Sequence, residues 1–189
     1  MSKRYLSQRW YLPCAKYPLL DRYISWPNIA RYCWSILFLL LANQFTFAQT
    51  EISGEKVGVL KKSESPYLIS GEVTVPQGKT LTIEPGVEIR FLYGYDRIQV
   101  NGTLIANGAI LDSIKFIGVQ TNSNNIKTYG GSINFSSSSQ NSELNYISMN
   151  YMGYAYADPK AGALKIASSS LMLKNYTINN AERNAIYID

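Results

Sequence analysis

The sequence predicts an all-β solenoid preceded by an export leader. Two observations carry the solenoid. Beyond Glu64 the chain is a succession of three- to five-residue runs in which apolar and polar side chains alternate, bounded by Gly, Pro, Asn or Asp. A unit made of a small residue followed by such alternation then recurs at imperfect intervals near twenty residues. No stretch of eleven residues beyond Glu64 has helical periodicity.

Taken in order, the first run is Gly71-Glu-Val-Thr-Val-Pro-Gln-Gly78, alternating and then turning at Pro-Gln-Gly. Leu81–Ile83 and Val87–Phe91 follow, separated by Glu84-Pro-Gly86, and then Ile98–Val100, Thr103–Ile105 and Ile114–Ile117. Gly131–Phe135, Gly162–Ile166 and Asn184–Ile188 share the small-residue opening. Leu144–Ile147 and Leu171–Ile178 form a second strand class between them. The steps from Leu81 to Ile98 (17), Ile133 to Leu164 (31) and Leu164 to Ile186 (22) set the expected coil lengths. Segments 120–129 and 150–160 are expected as loops at the corners. Strands this short also suit a sandwich. The recurring unit and the scarcity of hairpin-type Asn-Gly turns favour the solenoid, with Asn101-Gly102 expected as a coil corner. Leu81, Ile83, Val87, Ile89, Ile98 and Val100 are expected inside, and Thr80, Thr82, Glu88 and Arg90 outside.

The leader occupies 1–48. The run Ser35–Ala42 is the most apolar in the chain, follows Arg31, and is shorter than the ~20 residues of a membrane-spanning helix. Thr46 and Ala48 match the −3 and −1 positions of a secretory signal, so cleavage is expected between Ala48 and Gln49. The long stretch before this core suggests an over-extended start. The alternative is an N-terminal anchoring helix that is never cut, the one route by which a membrane enters this reading. Residues 49–64 are expected as a linker and 65–189 as the coils.

Charge and cysteine divide at the same point. The chain carries a formal +5, and residues 1–48 hold all of it, with six basic residues and Asp21. Residues 49–189 are neutral, so a nucleic-acid partner loses its electrostatic warrant. Cys14 and Cys33 also precede Ala48, and the chain has no His. Residues 49–189 therefore offer no disulfide, thiolate nucleophile, His-dependent triad or Cys/His zinc site. No metal or cofactor is expected.

The residues Ser65–Phe91 and then Ile98–Gly108 resemble the first coils of right-handed parallel β-helix surface proteins of the pectin-lyase-like kind, common in Bacteroidota envelopes. The leader's Phe-Ala-Gln ending resembles signal peptides of that group. The resemblance is specific over 65–117 and continues as a strand rhythm to Asp189. It implies a right-handed parallel β-helix and an exported address; members differ in activity. Asn184–Asp189 reads as the opening strand of a further coil, so a C-terminally truncated fragment is expected.

Polysaccharide lyases and hydrolases share this fold, and glycoside hydrolysis needs two carboxylates a few ångströms apart. The acids beyond Ala48 show no Asp-Asp or Asp-x-Asp cluster. Asp96-Arg97 beside Tyr93-Gly-Tyr95 is the one suggestive grouping, and a corner loop explains it. No residue is assigned a catalytic role. Tyr146, Tyr151, Tyr154 and Tyr156 crowd into eleven residues and are the candidate ligand contacts, since exposed aromatic rings stack on sugars. Asn101-Gly-Thr103 and Asn175-Tyr-Thr177 match the glycosylation sequon, and Asp112-Ser-Ile114 resembles a short Bacteroidota O-glycosylation motif. The expected role is structural or adhesive at the cell surface, with a glycan or surface-protein partner. The alternative is a piece of a polysaccharide-active enzyme whose catalytic coils are missing.

Overall fold

Alternation places every second side chain on one side of a strand, so a chain of short alternating runs buries its apolar half only by winding those runs round a common axis. The computed structural model describes residues 49–118, 129–153, 160–167 and 170–189. The predicted leader and Ala48 lie outside them, and Gln49 is exposed. The elements are β1 (Thr50–Glu55), β2 (Gly58–Leu60), a 3-10 turn (Lys62–Glu64), β3 (Tyr67–Val75), β4 (Thr80–Ile83), β5 (Glu88–Phe91) and β6 (Arg97–Val100). They continue with β7 (Thr103–Asn107), β8 (Ile114–Gly118), β9 (Ser132–Phe135), β10 (Ser142–Asn150), β11 (Gly162–Ile166), β12 (Leu171–Asn179) and β13 (Asn184–Ile188). All strand pairings among them are parallel.

The pairings resolve into three stacked faces visited in strict rotation, which is a parallel β-helix. Face 1 stacks the starts of β1 and β3, then β5, β8 and the ends of β10 and β12. Face 2 stacks the ends of β1 and β3, then β6, β9, β11 and β13. Face 3 stacks β2, β4, β7 and the starts of β10 and β12. β1, β3, β10 and β12 each turn a corner without breaking, which joins the faces into one 13-stranded sheet.

Inward residues form ladders. Val73, Ile98, Ile133, Leu164 and Ile186 align on face 2. Tyr67, Ile89, Phe116, Met149 and Ile178 align on face 1. Leu60, Ile83, Ala106, Leu144 and Leu173 align on face 3. The six residues expected inside are all buried, and Thr80, Thr82, Glu88 and Arg90 are not.

The sequence reading needs two corrections. Leu81 stacks on Leu104, whereas Ile98 lies on another face between Val73 and Ile133. The 17-residue step therefore joins two faces of one coil. All three faces share the same alternation, so spacing alone does not tell a face from a coil. The steps of 31 and 22 are true coil repeats. Residues 49–64 are also not a linker. β1 pairs with β3, β2 pairs with β4, and this stretch belongs to the same compact unit as the later coils. Only Ile52 and Leu60 of β1 and β2 are buried, which leaves their sequence too polar to read as strand.

Candidate functional site

The corners differ in length, and the difference locates the site. Corner 3–1 tightens to one residue in the later coils. Tyr146 (φ 47°) and Asn175 (φ 44°) each turn the chain in the left-handed region, one above the other, and Asn175 Nδ2 donates to Asn145 Oδ1 at 2.9 Å. Corner 2–3 contains Asn101-Gly102, stacked on the Pro76–Lys79 turn, so this Asn-Gly pair is the coil corner that was expected. Corner 1–2 holds the connections after β5, β8 and β10, including the two longest between described strands. The expected loops 120–129 and 150–160 fall between strands that meet at this corner, and their residues 120–128 and 154–159 lie outside the described ones.

Corner 1–2 also gathers tyrosines. In the coil of β5 it carries Tyr93 and Tyr95, whose rings stack 5.3 Å apart and within 5° of parallel. They are 51% and 68% exposed. In the next coils it carries Tyr129 and Tyr151, half-buried, with ring centroids 6.3 Å apart and a 46° tilt. Backbone hydrogen bonds hold these rungs together: Gly131 N–H to Gly94 O, Gly130 N–H to Tyr151 O, and Gly153 N–H to Gly131 O. The rungs lie so close that a Cβ on Gly118 would overlap the Tyr151 carbonyl. One on Gly131 (φ 74°) would overlap the Phe91 ring.

Asp96 fixes the first rung. Its carboxylate is 1% exposed and accepts from Gly71 N–H at 2.7 Å and Tyr93 N–H at 2.6 Å. The Asp96-Arg97 grouping is thus a corner device, with Asp96 turned inward against backbone donors. Arg97 Nε meets Glu72 Oε2 at 2.5 Å, and this hydrogen bond holds the Glu72 carboxyl below its ordinary range.

Three further acids beyond Ala48 also have structural partners. Glu84 accepts from Lys62 N–H, Glu88 pairs with Arg90, and Asp112 takes both oxygens to Lys62 Nζ. Among the described residues no three acidic, His or Cys side chains converge as metal ligands would.

Of the four tyrosines predicted to contact ligand, Tyr154 and Tyr156 lie outside the described residues. Tyr146 and Tyr151 stand at opposite ends of the face 1 segment of β10, roughly 16 Å apart along the strand. They occupy corners 3–1 and 1–2, the two edges of face 1. Tyr129 stands alone in the sequence, and the pattern around Tyr93 and Tyr95 shows only a corner loop. The available signal is the glycine series Gly94, Gly131 and Gly153, which marks one corner across three coils.

No family model matches the chain, and no solved structure matches it. An 81-residue stretch is 38% identical to Protein bark beetle of Drosophila melanogaster, covering 41% of this chain. The chain spans about 2% of that protein's length, so the likeness is to a small part of a much larger molecule.

Proposed function

We propose that this protein is exported and acts as a structural or adhesive element of the cell surface, presenting corner 1–2 of its β-helix to glycans or neighbouring proteins. The observation that carries the reading is the gathering of the longest connections and two pairs of tyrosines on one edge of a rigid ladder core. Loops on a fixed scaffold are the usual carriers of binding function. The leader pattern before Gln49 and the cysteine-free, neutral coils support the address. The pectin-lyase-like, Bacteroidota-type kinship belongs to the same proposal and rests on residues 65–117.

N-terminal sequencing and intact mass of the native protein from fractionated cells test this reading. The expected result is a chain beginning at Gln49 in the envelope or medium. An uncleaved cytoplasmic chain overturns it.

A further inference from the structure

We propose that the Tyr93–Tyr95 stack is a platform for a neutral pyranose glycan, continued toward the later coils by Tyr129 and Tyr151; this deepens the surface-binding reading above. Two nearly parallel rings that are half or more exposed leave flat apolar area in water, with a phenolic hydroxyl at each ring edge. A pyranose offers the complement: a face of axial C–H groups and a rim of equatorial hydroxyls. Other described rings have another fate. Tyr67, Phe91, Phe116 and Phe135 lie in the core ladders, and Tyr187 lies under Lys165.

The backbone under the platform is held in place. Tyr93 N–H is held by buried Asp96, and the Gly94 carbonyl accepts from Gly131 in the next coil. The loop that carries the two rings is therefore shaped before any ligand arrives, which lowers the ordering cost of binding. The described charges beside it are satisfied within the protein. Arg97 is tied to Glu72, and Asp96 is turned inward, so the platform favours an uncharged sugar over a uronate. Stacked coils repeat every ~4.8 Å, so Tyr129 and Tyr151 continue the aromatic edge along the helix axis, the direction an extended oligosaccharide would take.

The test is calorimetric titration of the full chain, its Y93A/Y95A variant and its L111A variant with cellohexaose, xylohexaose, chitohexaose and hexagalacturonate. Both platform residues are exposed, and matching circular dichroism spectra establish that the variants fold. At least one neutral oligosaccharide should bind, roughly tenfold more weakly to Y93A/Y95A as befits the loss of two stacking rings, and unchanged to L111A, whose exposed side chain lies on the connection between β7 and β8. Failure of all three neutral probes, undiminished binding by Y93A/Y95A, or preference for hexagalacturonate overturns the assignment. These outcomes are independent of where the protein resides. A chain found at the surface from Gln49 but without sugar binding loses the platform and keeps the surface role; a cytoplasmic chain that binds sugar does the reverse.

Discussion

Tyr67 is 1% exposed, yet its hydroxyl is fully engaged: it accepts from Lys61 N–H at 2.7 Å and donates to Lys61 O at 2.9 Å, with Glu64 Oε2 at 3.2 Å. Burial, and then the neighbouring Glu64, raise its pKa to about 12 from 10.0. The folded state therefore holds this proton more tightly than the unfolded chain does. The resulting stability is fully present below pH 10 and is lost as pH rises from 10 toward 12. Tyr67→Phe should cost about 1–2 kcal/mol at neutral pH, because Lys61 N–H loses its acceptor. Chemical denaturation of both proteins from pH 8 to 12 should show their stabilities converging above pH 10; parallel curves would contradict the assignment.

Tyr146 makes the opposite case at the same scale. A bulky residue in the left-handed region costs roughly 1–2 kcal/mol, a penalty that Asn largely escapes. Asn175 holds the equivalent place one coil later. Tyr146→Asn should therefore raise stability by up to about 1 kcal/mol, read as a higher denaturation midpoint at unchanged slope. A fall of the same size would mean that the Tyr146 ring packs usefully on its corner.

At the scale of the element, corners rather than strands distinguish one coil from another. Corner 1–2 of the β5 coil depends on a single carboxylate. Asp96→Ala leaves Gly71 N–H and Tyr93 N–H without their acceptor, at a cost of about 3 kcal/mol in total. Asp96→Asn keeps one good acceptor and should lose about half of that. Hydrogen exchange at Gly71 and Tyr93 checks the mechanism directly, since protection at both amides should fall in the Ala variant while the face 3 strands stay protected.

At the scale of the whole molecule, each residue inside a ladder is supported by the coil before it and the coil after it. Ile83 sits between Leu60 and Ala106 on face 3. Ile83→Asp would place a carboxylate in a column with no partner, and the cost of an unpaired buried charge exceeds the stability of a typical domain. The variant should show no cooperative unfolding transition by circular dichroism. Retention of a sharp transition would mean that the coils tolerate a broken column, as weakly coupled repeats can.

The sequence by itself determined the strand class, the alternation of inside and outside, and the winding of strands into a parallel helix. These follow from local patterning: a period of two exposes or buries a residue whatever its eventual neighbour, and Gly, Pro and Asn mark the turns. The true repeats Ile133–Leu164–Ile186 were legible for that reason. Only the tertiary structure decided which run stacks on which, because three faces with the same alternation are interchangeable until the corner lengths are known. Spacing alone therefore pairs Leu81 with Ile98 as readily as with Leu104, and the mostly exposed strands of 49–64 have the polarity of a linker. The candidate site fell on the same side of the divide. Tyr146 and Tyr151 are neighbours in sequence and stand on different corners. Tyr93, Tyr95, Tyr129 and Tyr151 span almost sixty residues and share one corner, because parallel stacking returns the chain to the same edge once per coil.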